Sequence, residues 1–203
     1  MVSVYSLKSK FQALLRPISN GCVRVGISAN MITVAAFVLS FLSGAAVYVL
    51  VPLNRLWYLI LPPVLLIRMA LNAIDGMIAR EHNQKTALGA ILNELGDILS
   101  DCALYVPFLY VWLGNWPLIT AFSLLAVISE AVGIMGVQIG TSRRYDGPMG
   151  KSDRAFWLGL SALISACMNV PYKTVSAFVI ICCLLLIYTI INRVIGALQE
   201  VKK

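Results

Sequence analysis

Apolar runs long enough to cross a bilayer recur along this chain from Met31 to its C-terminal region, and they decide its fold class before any motif is considered. Runs of this length and apolarity read as membrane helices. The spans fall at 31–51, 56–82, 86–113, 117–140, 153–168 and 173–199. At 1.5 Å per residue the first covers about 31 Å, enough for the hydrocarbon layer, whereas the fifth is marginally short. The expected fold is therefore an all-α integral membrane bundle of six transmembrane helices. Residues 1–203 form one domain, a surface segment at 6–27 followed by the bundle at 28–203.

The surface segment mixes Phe11, Leu14, Leu15 and Ile18 with Lys8, Lys10, Arg16 and Arg24, as an amphipathic helix lying on a membrane would. Ser28 or Asn30 is positioned to cap the first span, and Gly114 to Pro117 turns the chain between the third and fourth. No short segment with a small-residue processing site precedes Met31, so retention in the membrane is expected. Lys8, Lys10, Arg16, Arg24, Arg80, Lys85, Arg143, Arg144, Lys151, Arg154, Arg193, Lys202 and Lys203 gather on one side of a six-span topology, and only Arg55 and Lys173 on the other. The positive-inside rule then places both termini in the cytoplasm. The net charge of +7 is spread over these connections without an aromatic-interleaved patch, which argues for membrane topology and lipid contact and against nucleic acid. The five cysteines show no CxxC spacing and read as small apolar residues; the single histidine, His82, reads as a polar helix end.

The second and third spans carry what a purely structural bundle has little reason to hold: Asn72, Asp75, Arg80, Asn93, Glu94, Asp97 and Asp101. Asn72, Asp75, Gly76 and Ala79 share one helical face, and Gly89, Asn93, Asp97 and Asp101 share another. Because only Asn83 to Lys85 separate the two helices, they are antiparallel neighbours; Asp75 comes level with Asn93 and Asn72 with Asp97. Two carboxylates about 4 Å apart repel by roughly 4 kcal/mol at an effective dielectric near 20, and a hard cation relieves that. Carboxylate and amide oxygens without histidine or cysteine favour Mg²⁺ or Mn²⁺, with phosphate oxygens completing the shell. Gly76, Ala79 and Gly89 leave room for a ligand to approach, or simply let two helices pack closely, while Arg80 can neutralise a phosphate.

Deeper in the same helices, Arg68 and Asp101 should meet at one depth as a buried ion pair. Glu94 is turned about 100° from Asn93 but is long enough to swing toward the cluster. Glu130 of the fourth span is either an acid behind the cluster, a partner for Arg68 or a paired structural acid. The connection from Thr141 to Ala155 supplies Arg143, Arg144, Lys151 and Arg154, suited to an acceptor phosphate, a donor pyrophosphate or anionic lipid head groups, with Ser152 or Asp153 as a cap for the fifth span.

The segment NAIDGMIAREHNQKTALGAILNELGD, Asn72 to Asp97, resembles the signature DxxDGxxARx8GxxxDxxxD of the class I CDP-alcohol phosphatidyltransferases. Asp75, Gly76, Ala79, Arg80, Gly89 and Asp97 match in type; Asn72 and Asn93 stand where the signature has its first and third aspartates. The resemblance extends to the surface helix, to Asn30 and Thr33 at the start of the first span, and to the basic connection after the fourth.

It implies displacement of CMP from a CDP-linked lipid donor by an alcohol or phospho-alcohol acceptor, in phospholipid synthesis at the cytoplasmic face of a bacterial inner membrane. It also implies a homodimer that uses Mg²⁺ or Mn²⁺. The metal positions map to Asn72, Asp75, Asn93 and Asp97, with Asp97 also the base, and the nucleotide and pyrophosphate positions to Asn30, Thr33, Gly76, Ala79, Arg80 and Gly89. A soluble CDP-alcohol with a lipid acceptor, and a catalytically silent ion-binding scaffold or transporter, are the alternatives.

Overall fold

The computed structural model describes residues 4–202, with side chains from Lys10 onward; Lys8 and Lys203, counted above among the cytoplasmic bases, lie outside the described side chains. All regular structure among the described residues is helical. The helices are α1 (Val4–Arg24), α2 (Ala29–Leu50), α3 (Leu61–Glu81), α4 (Ala87–Leu113), α5 (Trp116–Gln138), α6 (Lys151–Cys167) and α7 (Tyr172–Val201). Five of them, α3 being taken with its preceding turn, are long and apolar enough to cross a membrane. The exception besides α1 is α6, whose 17 residues rise only about 26 Å.

The second expected span is not one continuous α-helix. Asn54 accepts a hydrogen bond from the Leu56 amide at 2.9 Å and opens a 3₁₀ turn over Arg55–Ile60, after which α3 begins at Leu61. Pro62 and Pro63 explain the break, because proline is tolerated in the first turn of an α-helix but not further in. Helix α1 ends at Arg24, short of the expected 27, where Gly26 takes a positive φ of 81°.

The contacts divide the chain into two compact units, Met1–Ser43 with Pro63–Asp101, and Gly44–Pro62 with Cys102–Lys203. In the first unit Leu15 of α1 is buried with Ile32 of α2 and Ile74, Met77 and Ile78 of α3. The opposite face of α1 exposes Phe11, Leu14 and Ile18. Arg16 closes this packing through a two-pronged bond to Glu81, 2.9 and 3.3 Å, and a His82 ring nitrogen lies 3.2 Å from Asn20 Oδ1.

In the second unit α5 packs along α7, and α6 packs on the 3₁₀ turn. The core here is aromatic: Phe108 stacks on Trp112 at 5.1 Å and meets Tyr58 edge-on at 5.8 Å. Along α7, Val175, Val179, Cys182, Leu186, Thr189 and Arg193 are buried at spacings of three and four. The other face presents Ile180, Ile181, Leu184, Ile187, Ile191 and Val194. A continuous apolar stripe of that length has no place on a water-soluble surface and is what lipid contact requires.

The connection from α5 to α6 doubles back over its own unit. Arg144 donates its amide to the Gly133 carbonyl at 3.0 Å, and Thr141 its amide to the Gly136 carbonyl at 3.1 Å. A Cβ on Gly133 would lie 2.8 Å from the Arg144 carbonyl oxygen, and one on Gly147 2.6 Å from Thr189 Cα, so both glycines are there to let the loop settle on α5 and α7.

Candidate active site

The first unit brings together the start of α2, the second half of α3 and the first half of α4. The turn between α3 and α4 does more than reverse the chain. Gln84 accepts the Ala29 amide at 3.0 Å and so caps α2, Thr86 accepts the Gly89 amide at 2.9 Å and caps α4, and Ser28 accepts the Met31 amide at 3.3 Å. The expectation that Ser28 or Asn30 caps the first span resolves to Ser28. Asn30 turns toward α4 instead: a Cβ on Gly89 would come within 2.7 Å of Asn30 Oδ1, so glycine at 89 is what admits the amide.

Within this frame the two carboxylates of the signature are each held by a neutral donor. Thr33 donates its hydroxyl to Asp75 Oδ2 at 2.8 Å, and Asn72 donates Nδ2 to Asp97 Oδ1 at 2.9 Å. Asp75 is buried, while Asn72, Asn93, Glu94 and Asp97 are half-buried. A facing pair of aspartates is avoided: where the signature would set a carboxylate against Asp97, Asn72 substitutes a hydrogen bond for a repulsion. Arg80 is exposed, its guanidinium folded over Gly76 so that a Cβ there would lie 3.2 Å from Nη1. Below the cluster Arg68 meets Asp101 at 2.5 Å with both side chains buried, and also donates to the Asp97 carbonyl at 3.1 Å. One arginine thus fixes the backbone at Asp97 and balances the deeper acid.

The donor set suits a hard divalent cation in type but is poor in charge. Among the described residues no three of His, Cys, Asp or Glu converge, so a cation here would have two carboxylates, Asp75 and Asp97, supplemented by amide oxygens of Asn72 and Asn93. Oxygen donors without nitrogen or sulfur fit Mg²⁺ or Mn²⁺, and a shell completed by ligand phosphate fits the low protein charge.

The basic residues of the α5–α6 connection belong to the second unit and are not loose. Arg144 binds Asp146 through Nε at 2.7 Å and is also paired with Glu200, which in turn accepts the Ser142 amide at 2.8 Å. Arg143 lies over the Tyr145 ring at 5.0 Å and reaches Glu130 at 3.5 Å. Arg154 is wholly buried and bonds Glu130 at 3.0 Å. Lys151 is half-buried in the first turn of α6. That helix starts before Ser152 and Asp153, so neither is its cap residue; Gly150 is, with Asp153 reaching back to the Gly150 amide at 3.0 Å.

Arg193 was overlooked as a site residue, having been counted only as a cytoplasmic charge near the end of the last span. It is 2% exposed, lies 3.5 Å from Glu130 and also bonds the Ser129 carbonyl. The overlooked signal was its position within α7, two turns before the end of a helix that runs to Val201, where a basic residue cannot reach the interface unaided. Arg193 therefore joins Arg68 as a buried base within a membrane helix.

The hydrogen-bonded pairs Thr33–Asp75 and Asn72–Asp97 set two carboxylates on helices of one membrane unit, and the sequence match gives the class, a membrane phosphotransferase. A model of the CDP-alcohol phosphatidyltransferase family matches residues 27–200, and the chain belongs to that family. It is 43% identical over 192 residues, 95% of this chain and 94% of the relative, to the inner membrane protein YnbA of Escherichia coli strain K12. It is 26% identical over 62% of its length, and 57% of the relative, to the phosphatidylinositol phosphate synthase of Mycobacterium bovis. Among solved structures the fold is similar to the Mycobacterium tuberculosis phosphatidylinositol phosphate synthase. The form in complex with manganese and citrate gives a TM-score of 0.70 at 22% identity, covering 92% of this chain and 90% of that one. The form with CDP-DAG bound gives 0.66 at 22%, covering 93% and 94%.

Proposed function

We propose that this chain displaces CMP from a CDP-diacylglycerol-like donor with an alcohol acceptor, making a phosphodiester lipid. The observation that carries the reading is the pair Asp75 and Asp97, fixed by Thr33 and Asn72 on adjoining helices within a family signature that departs at Asn72 and Asn93. The Mycobacterium tuberculosis phosphatidylinositol phosphate synthase, which holds CDP-DAG in one structure and manganese with citrate in another, supports the donor class and the use of a divalent cation.

Asn72, Asp75, Asn93 and Asp97 are the residues to hold Mg²⁺ or Mn²⁺, which when bound supplies positive charge against the donor pyrophosphate. Asn30, Thr33, Gly76, Ala79, Arg80 and Gly89 shape the nucleotide and pyrophosphate site; the exposed Arg80 screens the phosphate charge, and the glycines keep the approach open. Asp97 takes the proton from the acceptor hydroxyl. The hydroxyl oxygen bonds to the lipid-linked phosphorus, the bond between that phosphorus and the bridging oxygen breaks, and CMP departs with the electron pair. Asn72, by donating to Asp97, fixes the orientation of that carboxylate. Glu94, half-buried beside Asn93, is a reserve acid for the same site.

The reading includes a homodimer in a bacterial inner membrane, with both termini cytoplasmic, α6 as a short sixth span and α1 on the surface; the exposed apolar face of α1 supports the last point. The test is CMP release by the purified protein in lipid nanodiscs given CDP-diacylglycerol, Mg²⁺ or Mn²⁺ and a panel of alcohols, with mass spectrometry of the lipid product. Release that requires the cation and disappears in Asp97→Asn is expected. No release from CDP-diacylglycerol or a soluble CDP-alcohol would favour a silent ion-binding scaffold.

A further inference from the structure

Arg68 lies outside the family signature, one helical turn deeper than Asn72 on the same face of α3. Asp101 lies one turn beyond Asp97 on α4, and all four residues belong to the first unit. A single guanidinium nitrogen of Arg68, Nη2, meets Asp101 Oδ1 at 2.5 Å and the Asp97 carbonyl at 3.1 Å, with the two side chains 3% and 7% exposed. In α4 that same carbonyl accepts from the Asp101 amide, so Arg68 clips one turn of the helix at both ends. Asn72 donates to the Asp97 carboxylate at 2.9 Å. One face of α3 therefore grips Asp97 twice, by its main chain and by its side chain.

Stability alone does not account for this arrangement. Apolar residues of similar volume in place of a buried ion pair are often neutral or stabilising, because the charges surrender their hydration. The bond from Asn72 orients the Asp97 carboxylate but leaves the turn that carries it able to shift along α3. A bond to the main chain removes that freedom, and it does so relative to the helix that also carries Asp75.

We propose that Arg68 is a positioning residue for the transfer: it fixes the turn of α4 at Asp97 against α3, and so sets the Asp97 carboxylate relative to Asp75 as the cation and the acceptor hydroxyl require. The proposal rests on the transferase reading above. Arg68 acts through Asp97, and Asp101 supplies the counter-charge that keeps the guanidinium in place. A misplacement of about 1 Å at a reacting group costs about a hundredfold in rate, so loss of the clip falls on kcat more than on donor binding.

The test compares Arg68→Leu/Asp101→Leu with Asp101→Asn in the full-length protein in nanodiscs, given CDP-diacylglycerol, saturating Mn²⁺ and the best acceptor of a panel that includes glycerol 3-phosphate, inositol 1-phosphate and serine. The double variant, with no charge left buried at these positions, should keep the wild-type Tm yet lose at least about tenfold in kcat, with KM for CDP-diacylglycerol within about threefold. Asp101→Asn should be the less stable of the two, because Arg68 loses its counter-charge, but it retains the bond to the Asp97 carbonyl and should keep kcat within about threefold of wild type. A structural role gives the opposite order, with activity following stability. Wild-type kcat in the double variant, or a loss in Asp101→Asn as large as that of the double variant, overturns the proposal.

A second readout needs no turnover: thermal unfolding across a Mn²⁺ titration. The midpoint concentration should rise at least about threefold in the double variant and stay near the wild-type value in Asp101→Asn. An unshifted midpoint in the double variant refutes the hold of Arg68 on Asp97. Should that variant not fold, Arg68→Met/Asp101→Met, with unbranched side chains that adapt to the space, takes its place; if neither folds, kcat and midpoint of Asp101→Asn decide alone. Absence of CMP release by the wild type from every donor sinks the transferase reading, while the midpoint still judges Arg68. A wild type that Mn²⁺ does not stabilise either overturns both.

Discussion

Replacing Asn72 by aspartate restores the residue the family signature has at this position, and it should make the protein less stable and more dependent on metal. In the wild type the amide donates to Asp97 Oδ1 at 2.9 Å, a bond to a carboxylate of the kind that contributes about 1.5 to 3 kcal/mol. In Asn72→Asp that donor becomes an acceptor. Were the two carboxylates to relax to about 4 Å, they would repel by roughly 4 kcal/mol at an effective dielectric near 20, an upper bound because both groups are half-buried and can rotate apart. A net loss of about 2 to 4 kcal/mol is therefore expected in the absence of divalent cations. For a chain of 203 residues that is a fall in Tm of roughly 4 to 16 °C, at about 2 to 4 °C per kcal/mol.

Metal should reverse the order. A cation at 100 times its Kd returns about 2.7 kcal/mol, and the third carboxylate lowers that Kd relative to wild type. The assay is thermal unfolding of both proteins in one detergent, first in EDTA and then across a Mg²⁺ or Mn²⁺ titration. If Asn72→Asp is as stable as wild type in EDTA, or if its Tm rises no more steeply with metal, the account of Asn72 as the neutral partner of Asp97 is wrong.

Three further outcomes follow from the same geometry. Arg68→Leu or Asp101→Leu alone should cost about 3 to 5 kcal/mol by leaving one charge buried, whereas the double variant should be close to wild type; additive losses in unfolding free energy would refute the pairing. Asp75→Asn and Asp97→Asn should both abolish metal-dependent CMP release while an amide oxygen still accepts from Thr33 or Asn72, so the unfolding free energy should stay within about 1 kcal/mol of wild type, read by activity and thermal unfolding together; a larger loss would refute the assignment of these bonds. Gly89→Ala should gain helix propensity of about 1 kcal/mol, yet its Cβ would lie 2.7 Å from Asn30 Oδ1 and displace that amide, raising KM for the CDP donor several-fold; an unchanged KM would remove Asn30 from the donor site.

The parts of this architecture that were legible in the sequence are those fixed by local periodicity and by short loops. Helical steps of three and four placed Asn72 with Asp75 and Asn93 with Asp97, and the brevity of the turn at Asn83 forced α3 and α4 side by side, so the partnership of Asn72 with Asp97 and the depth shared by Arg68 and Asp101 both followed from counting residues. The break before α3 was also written locally, in Pro62 and Pro63, but a hydropathy run passes over prolines without registering the change from 3₁₀ to α. The Glu130 cluster was not legible. Its members come from α5, α6, α7 and the connection, Arg193 lying 63 positions after Glu130, and no local period relates them. Arg193 in particular was absorbed into a topology count, because a base near a helix end reads the same whether it reaches water or turns inward.

The two departures from the signature act in one electrostatic sense. Asn72 and Asn93 each remove a negative charge from the metal positions, so Asp75 and Asp97 are left with neutral donors, Thr33 and Asn72, in place of further acids. With no cation bound, four facing carboxylates would repel one another, whereas this arrangement carries two, each already hydrogen-bonded. The same substitutions lower the charge that draws a cation in, so the wild type should need more metal than the Asn72→Asp variant to reach the same fractional gain in Tm.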